Sequence, residues 1–480
     1  MYAELVQKLS AIFTVPSDCR SFKALEEHVR QKGAEFLQAA LRELLERLDK
    51  ELAGQRPRGL TLKDLQPRTL DTLVGPVTYR RRRYRDRAGR YRYLLDEALS
   101  LNKRQRVSPG LAAELVMQAT DQPFREAATH RKELGLPSVV SHATIHRWTR
   151  KLGQLRCQEQ EQRREAVFEA GEQQPWARGR DRVVFSEADE LFVKAQREKV
   201  DRIGIKASIT HSGWKPRYSG SKEWRLTERH VHAGVVRDGE RYWQEALVAH
   251  GHRHPVWEGV LVVNGDGASW IDAGLEVAGG RGHRQLDRFH VYRDIRRAYP
   301  DEEAAKFIAH LRAGRVDVVL DTMEAGLARE GLPAKTRARR QALWKFLSQR
   351  REQLRDYRDA LRNQLPANKA LNGLGAMEAC VNRVLAARMK KRTMCWTIAG
   401  ADAMARLRAL RANGELQEWL DRQLSGPARV PTRTWHRVAK AARESCTGEW
   451  LQKNVPALAG PHASRPWVKV LRALTTPQAV

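Results

Sequence analysis

A run of branched apolar residues near the middle of the chain restricts the folds open to it. Gly259-Val-Leu-Val-Val-Asn264 has the composition of a strand buried inside a sheet, and it leads directly into Gly265-Asp266-Gly267. The order of strands and helices around it predicts an α/β fold, in which an inserted helical region interrupts a mixed sheet. The other β-prone runs cover 182–185, 203–210, 230–236 and 285–286, and the helical patterns cover 290–363 and 375–410.

The charge of the chain indicates a polyanionic partner. Lysine and arginine number 87 against 57 aspartate and glutamate, which gives a formal net charge of +30. Such an excess favours nucleic acid, because each phosphate contact releases condensed counterions. The alternative is an arginine-rich codon bias that has no binding role.

Several classes of protein are excluded on composition. No apolar stretch approaches the ~20 residues that a bilayer span needs, and we expect no secretory signal at the start, so the sequence predicts a cytoplasmic protein without membrane contact. The five cysteines lie far apart and form no C-x-x-C pair, which argues against a disulfide framework and against a zinc ribbon.

Helical patterns dominate the first third of the chain. Leucines at three- and four-residue steps from Leu37 to Leu52 predict an amphipathic helix over 22–52. Three short helices are expected within 108–152, with Ser141 as the N-cap of the last, in an arrangement similar to a helix-turn-helix. Three basic residues of that last helix are the predicted readers of DNA bases: Arg147, Arg150 and Lys151.

Between these helical segments, two β-prone runs at 77–85 and 90–94 flank a turn and predict a β-hairpin. Its arginines alternate with tyrosines, a pattern that suits phosphate pairing beside base stacking. Seven arginines so close together repel one another without a counter-charge, which favours DNA over a merely solvated ribbon. The predicted phosphate contacts are Arg80, Arg81, Arg82, Arg83 and Arg85.

Two aspartates are the first candidates for chemistry. Asp189 follows an apolar β-prone run, and Asp266 follows the buried-type strand between two glycines. Ligand-binding groups of α/β sheets cluster at the carboxyl ends of strands, so these carboxylates can face one crevice and bind hard divalent cations. Considered alone, such an aspartate can equally be a turn residue or a helix cap.

Four strings extend this interpretation: Asn264-Gly-Asp-Gly-Ala-Ser-Trp-Ile271, Leu286-Asp-Arg-Phe-His290, Gly375-Ala-Met-Glu-Ala-Cys-Val-Asn-Arg383 and Cys395-Trp-Thr-Ile-Ala-Gly-Ala-Asp-Ala-Met404. Together they resemble the ISLre-type bacterial insertion-sequence transposases, a family formerly filed as uncharacterised proteins and related to the Mutator-like transposases. The similarity runs from about Thr69 to about Arg411.

The resemblance implies an RNase H-like DDE core that cleaves and joins DNA with two Mg²⁺ ions, for which Mn²⁺ can substitute. Its acids fall on Asp189, Asp266 and Glu378, which would be both the catalytic residues and the metal ligands. The Asp/Cys-x-x-His element falls on Asp287 and His290, and a supporting residue, Asn382, lies one helical turn after Glu378. The implied partners are element ends and target DNA, held by a homodimer or a larger synaptic complex at the bacterial nucleoid.

Several alternatives stay open. Glu187 lies on the same face of its strand as Asp189 and can replace it, because side chains alternate with period two. Asp402 can replace Glu378, and His290 can be a core histidine. At the level of function, the alternatives are an RNase H-like nuclease without joining activity and a catalytically silent, domesticated DNA-binding protein.

These inferences divide the chain into seven segments. They are an N-terminal helical region (1–60), a basic β-hairpin and helix-turn-helix-like DNA-binding region (61–155), a linker helix (156–178), the first part of the catalytic core (179–296), a helical insertion (297–370), the closing helices of the core (371–412) and a basic C-terminal region (413–480).

Overall fold

The computed structural model describes residues 2–17, 19–133, 135–136, 140–179, 182–328, 331–365, 371–391, 394–426 and 430–447. The chain divides into two units: unit 1 holds residues 1–115, 124–145 and 418–480, and unit 2 holds 116–123 and 146–417. About half of the predicted basic C-terminal region, from 448 onward, lies outside the described residues.

Unit 1 joins a long helix to an antiparallel sheet. The predicted helix over 22–52 is confirmed, and Ser21 begins it by accepting the Ala24 N–H through its hydroxyl at 3.1 Å. Leu48 of this helix is buried against Leu70 of the sheet. The elements up to residue 133 are α1 (Tyr2–Phe13), α2 (Phe22–Gly54), β1 (Thr61–Thr72), β2 (Gly75–Arg85), β3 (Tyr91–Arg92), α3 (Leu94–Ala98), α4 (Pro109–Asp121) and α5 (Phe124–Glu133).

The predicted β-hairpin exists, but it is only a small part of the sheet. β2 pairs with β3 through two residue pairs, whereas it pairs with β1 along nearly its whole length. The sequence did not predict β1, since Pro67 and scattered charges interrupt its apolar alternation. The third predicted helix of the 108–152 segment is α6 (His142–Phe168), and Ser141 caps it by accepting the Thr144 N–H.

The expectation that the arginines of β2 lack a counter-charge is wrong. Arg82 pairs with Asp49 at 2.6 Å, and Arg83 pairs with Asp64 at 2.5 Å. Arg81 is buried and pairs with Asp96. The folded chain therefore supplies carboxylates that the local sequence pattern did not show.

Two tyrosines of β2 also have a structural role. Tyr79 and Tyr84 are each 1% exposed, so neither presents a ring for a base to stack on. The exposed arginines of the strand are Arg80 and Arg85, which alternate with these buried residues. The interleaving of arginine and tyrosine thus reflects the inside–outside alternation of a half-buried strand.

Unit 2 is built on a mixed sheet. The strands run in the order β10–β9–β4–β5–β8; β4 pairs antiparallel with β5 and β5 with β8, whereas β9 is parallel to both β4 and β10. The short strand β11 pairs with the end of β4. The bounds are β4 (Val183–Ala195), β5 (Arg202–His211), β6 (Gly213–Pro216), β7 (Trp224–Thr227), β8 (His230–Gly234), β9 (Val260–Gly265), β10 (Gly282–Leu286) and β11 (Cys395–Trp396).

The predicted strands at 203–210, 230–236, 259–264 and 285–286 are confirmed as β5, β8, β9 and β10. The first strand is longer than expected, because it continues through the polar residues Glu187-Ala-Asp-Glu190 to Ala195. Asp189 consequently lies within β4 and does not follow its end. The hairpin of β6 and β7 was not predicted.

Helices fill the rest of unit 2, and the helical pattern predicted over 290–363 is present. Between β10 and the next segment of the sheet, helices pack around Ile295, Phe307, Val319 and Leu347. The helices of unit 2 after β8 are α7 (Gly239–Gly251), α8 (Ser269–Val277), α9 (Arg288–Ala298), α10 (Asp301–Arg312), α11 (Val316–Leu327), α12 (Ala334–Ser348), α13 (Tyr357–Ala360), α14 (Ala376–Val381), α15 (Ala387–Met389) and α16 (Ile398–Asn413). Two further helices follow, α17 (Leu416–Ser425) and α18 (Thr432–Thr447), and the chain from residue 418 onward belongs to unit 1.

A 3₁₀ turn, Arg351–Leu354, precedes α13, and one π-helical turn, Asn382–Ala386, joins α14 to α15. Across the part of the chain that is described, no helix combines the length and the apolar character that crossing a membrane requires.

Replacing Asp96 by Asn should destabilise unit 1. Asp96 is 4% exposed and pairs with the buried Arg68 (2.6 Å) and Arg81, so the substitution leaves two buried guanidinium groups uncompensated. We expect a loss of about 3–5 kcal/mol, measured from hydrogen exchange of the β1 and β2 amides. Asp64→Asn, at a more exposed pair on the same sheet, is the control and should cost far less; equal losses would contradict the buried network.

Candidate active site

Asp189 and Asp266 lie side by side on neighbouring parallel strands. The β4–β9 ladder ends at the pair of Glu187 and Asn264, and each aspartate lies two residues beyond that pair. Asp189 is half-buried, and Asp266 is exposed immediately after β9. The parallel register therefore brings together two carboxylates that are far apart in the sequence.

The two carboxylates interact electrostatically. Burial raises the pKa of Asp189, and the negative charges of Asp266 and Asp287 raise it further, against the lowering effect of the Glu190 N–H and of His290. The group is therefore harder to ionise than an ordinary aspartate. A cation bound between the carboxylates would remove this penalty.

Asp287 and His290 form the next part of the site. Asp287 caps α9 by accepting the Phe289 N–H at 2.9 Å, while its other carboxylate oxygen lies 2.9 Å from His290 Nδ1. Its own N–H donates to the Gly265 carbonyl at 2.7 Å, which ties the cap to the end of β9. The hydrogen bond to Asp287 raises the pKa of His290, and the charges of Asp287 and Asp189 add to that effect.

A cleft of about 720 Å³ opens beside Asp266 and His290. Arginines from α9 and α12 line it together with an apolar wall that includes Phe346. Gly267 has a φ of +92°, and a Cβ there would lie 2.7 Å from Phe346 Cζ, so this turn requires glycine. The basic lining residues are Arg293, Arg297 and Arg339. They were not predicted from the sequence, although Arg293 and Arg297 have i,i+4 spacing on one helix.

The structure separates the roles of Glu187 and Asp189. Glu187 is fully buried, and its Oε2 accepts the N–H groups of Gly375 (2.7 Å) and Ala376 (2.9 Å) at the start of α14. The Asn264 amide donates to the same oxygen at 3.2 Å. Glu187 thus holds a helix, whereas Asp189 interacts with Asp266.

Glu378 and Asn382 are both exposed, one turn apart, on the helical segment that begins at α14. The competing acid Asp402 is engaged elsewhere, because it accepts hydrogen bonds from Arg406 Nε (2.9 Å) and the Val235 N–H (2.8 Å). Among the described residues, no three histidine, cysteine, aspartate or glutamate side chains group closely enough to hold a metal ion. The structure therefore brings Asp189, Asp266, Asp287 and His290 together. Glu378 does not form a three-ligand cluster with the two aspartates.

The predicted DNA-reading residues of α6 are accessible. Arg147, Arg150 and Lys151 are exposed, and Lys151 Nζ lies 4.8 Å from the centre of the Trp148 ring. Their role in DNA binding remains a prediction, as does that of Arg80 and Arg85. Trp396 of β11 is a packing residue, since it is 6% exposed and its Nε1 donates to the Met389 carbonyl at 2.8 Å.

Comparison with known proteins gives the family of this chain. Residues 17–423 match the profile of an uncharacterised protein family, UPF0236. The chain belongs to the UPF0236 family. It is 25% identical over 413 residues to the "UPF0236 protein in vanSb 3'region" of Streptococcus gallolyticus, covering 81% of this chain and 83% of that protein.

Further UPF0236 proteins occur in Caldanaerobacter subterraneus subsp. tengcongensis. One is 23% identical to this chain over 397 residues, and another is 23% identical over 402 residues. Each match covers 81% of this chain and 77% of the relative. The similarity to these UPF0236 relatives therefore extends through both units.

Replacing Asp287 by Asn should lower the pKa of His290 toward its ordinary value of about 6.5. Asparagine keeps the cap of α9, because its side-chain oxygen still accepts the Phe289 N–H, but it removes the negative charge that favours the imidazolium. An NMR titration of the His290 ring measures the change. Asp294→Asn, on the same helix and paired with Arg293, should have a smaller effect; equal shifts would argue against the specific hydrogen bond.

Proposed function

We propose that this protein is a DNA transposase of the ISLre type that cleaves and joins DNA by metal-dependent phosphoryl transfer. The observation that carries the proposal is the placement of Asp189 and Asp266 on adjacent parallel strands, beside a cleft lined by arginines. The sheet order supports an RNase H-like core, since the antiparallel series β4–β5–β8 continues on the β4 side into parallel strands. The helical insertion between β10 and α14 agrees with a DDE core whose third acid follows an insertion.

The names of the relatives give independent support. One Caldanaerobacter protein carries eleven locus designations in its name, and another carries four. A protein shared by so many loci of one genome is typical of a mobile element. This is the pattern expected when the encoded protein moves its own gene.

The donor atoms at the site fit Mg²⁺. This ion prefers oxygen ligands and is usually held by one or two carboxylates together with substrate phosphates, so a cluster of three protein ligands is not required. Asp189 and Asp266 are the proposed ligands, and Glu378 is the proposed third. When bound, two Mg²⁺ or Mn²⁺ ions would increase the acidity of the attacking water and stabilise the leaving oxygen.

The side chains around the acids have separate tasks in the proposed reaction. Arg293, Arg297 and Arg339 bind the phosphates of the strand, and the ring of His290, oriented by Asp287, faces the same cleft. Water attacks the phosphorus at the element end, the bond from phosphorus to O3′ breaks, and the leaving oxygen takes up a proton. That 3′-hydroxyl then attacks a phosphorus of target DNA and loses its proton to solvent, while the bond from that phosphorus to the target 3′-oxygen breaks and the displaced oxygen takes up a proton.

Element ends and target DNA are thus the proposed partners, in the bacterial cytoplasm at the nucleoid. Two ends must be held at once, so we propose a homodimer or a larger synaptic complex as the active form. The exposed Arg147, Arg150 and Lys151 are the proposed contacts to the bases of the element end.

Asp189→Asn and Asp266→Asn should each abolish end cleavage and leave DNA binding intact, since only the charge of one carboxylate is removed. Glu378→Gln tests the third acid in the same way. The measurement is cleavage and joining of labelled element-end DNA, and Glu276→Gln, an exposed substitution on α8, is the control. Cleavage by either aspartate variant would refute the site, and cleavage without joined products in the wild type would identify a nuclease.

Replacing Arg293 and Arg297 by Ala should weaken binding of the same DNA and reduce its salt dependence. Each lost phosphate contact lowers the slope of log K against log[salt] by about 0.9. Binding titrations across a salt series measure this change. Arg217→Ala is the control, because Arg217 lies on the β6–β7 hairpin and is paired with Glu223 at 2.8 Å; an equal fall in that variant would contradict the assignment of the cleft.

A further inference from the structure

We infer that Glu187 is a positioning residue that holds the start of the α14 segment, and with it Glu378, against the strand that carries Asp189. The inference rests on the proposed function where it concerns cleavage. We call the contact between the Glu187 carboxylate and the start of α14 the clamp. It can be tested separately, because its presence does not depend on DNA cleavage.

The clamp consists of three donors that converge on one carboxylate oxygen. Glu187 Oε2 accepts the Gly375 N–H, the Ala376 N–H and the Asn264 amide. Gly375 has a φ of +136°, which favours glycine and turns the chain so that consecutive N–H groups face the strand. The first free N–H groups of the helical segment are thereby satisfied by a buried charge.

The surroundings of Glu187 explain why its carboxylate does not serve as an open ligand. The side chain is fully buried, and its second oxygen, Oε1, lies 3.5 Å from Nε2 of His211, which is also buried. Both oxygens therefore face protein groups. Asp189, two residues further along the same face of β4, faces Asp266.

The clamp fixes the geometry of Glu378 through a short path. Glu378 lies in the first turn of α14, three residues after Gly375 and two after Ala376. A shift of the helix start by about 1 Å would displace a group at this position enough to cost roughly a hundredfold in rate. Strand β4 thus carries two carboxylates with different roles. Asp189 is a proposed metal ligand, and Glu187 sets the position of Glu378.

Two substitutions of Glu187 distinguish the effect of side-chain length from the effect of charge. Glu187→Gln removes the charge but keeps an oxygen at the same position for the three donors. His211 Nδ1 lies 3.3 Å from the Gly213 carbonyl oxygen and 3.2 Å from the Gly213 nitrogen, so the ring proton can lie on either nitrogen, and with the proton on Nδ1 the Nε2 atom accepts from the new amide. Glu187→Asp keeps the charge but is one methylene too short to reach the start of α14.

The experiment measures kcat and KM for end cleavage in both variants. The clamp predicts that Glu187→Gln stays within about fivefold of wild-type kcat, whereas Glu187→Asp loses roughly tenfold to a hundredfold with KM for DNA unchanged. The opposite ranking, with Glu187→Gln as inactive as Asp189→Asn, would make Glu187 a charged ligand and overturn the inference. Equal, wild-type rates in both variants would also overturn it.

Hydrogen exchange of the segment from 371 to 381 provides the readout that does not depend on activity. Protection of the Gly375 and Ala376 amides should be kept in Glu187→Gln and lost in Glu187→Asp, and unchanged protection in both variants would refute the clamp. If the wild-type protein cleaves no DNA, the proposed function fails, but the hydrogen-exchange measurement still shows whether the clamp exists.

The chain offers a matched control for these variants. Glu198 Oε1 accepts the Ile398 N–H at 2.8 Å, so it is a carboxylate at the start of another helix of unit 2, α16. Glu198→Asp should leave kcat at the wild-type value, because α16 does not carry a proposed acid. A fall equal to that of Glu187→Asp would show that loosening any helix start slows cleavage, which would contradict a specific role for Glu187.

Discussion

The central constraint in this protein is the burial of the Asp189 carboxylate on a strand whose parallel neighbour ends beside it, just before Asp266, so that desolvation and a smaller repulsion from Asp266 both disfavour its ionisation. Both effects raise the pKa of Asp189. Under the proposed function, a metal ion bound between the two carboxylates would compensate this cost. In this proposal, the arginine-lined cleft binds DNA phosphates, the Asp287–His290 pair faces that cleft, and the clamp on α14 positions Glu378.

The surrounding residues show how the fold isolates these two acids. Other carboxylates near the sheet are engaged by protein donors: Glu187 by the start of α14, and Asp402 by Arg406 and a backbone N–H. The same principle operates in unit 1, where Asp49, Asp64 and Asp96 compensate the arginines of β2.

The sequence predicted much of the sheet, because apolar strands such as β9 have a composition that few other elements share. It predicted Asp266 as a strand-end residue for the same reason. It placed Asp189 at the end of a strand, since the polar run 187–190 concealed a long central strand whose polar side chains are partnered within the fold. It also expected unpaired arginines in the hairpin, because the carboxylates that pair with Arg81 and Arg82 come from α3 and α2, and local pattern carries no information on such contacts.

The position of Glu378 depends on tertiary contacts as well. Helices lie between β10 and α14 as the sequence pattern predicted, but the Glu187 clamp depends on a contact between residues 188 positions apart in the chain. Periodicity alone does not distinguish Glu187 from Asp189 on their shared strand face; the resemblance favoured Asp189 as the acid of the site, but nothing in the sequence indicated that Glu187 binds a helix. The answer comes from the backbone N–H groups at the start of α14, which donate to Glu187.

The most direct test of the shared cation is the anomalous scattering of Mn²⁺ in crystals of the full chain bound to a cleaved element end. The account predicts a manganese peak between the carboxylates of Asp189 and Asp266, next to the DNA 3′-hydroxyl, and its loss in Asp266→Asn. A complex with DNA in which manganese binds elsewhere, and the two aspartates contact neither metal nor DNA, would contradict it.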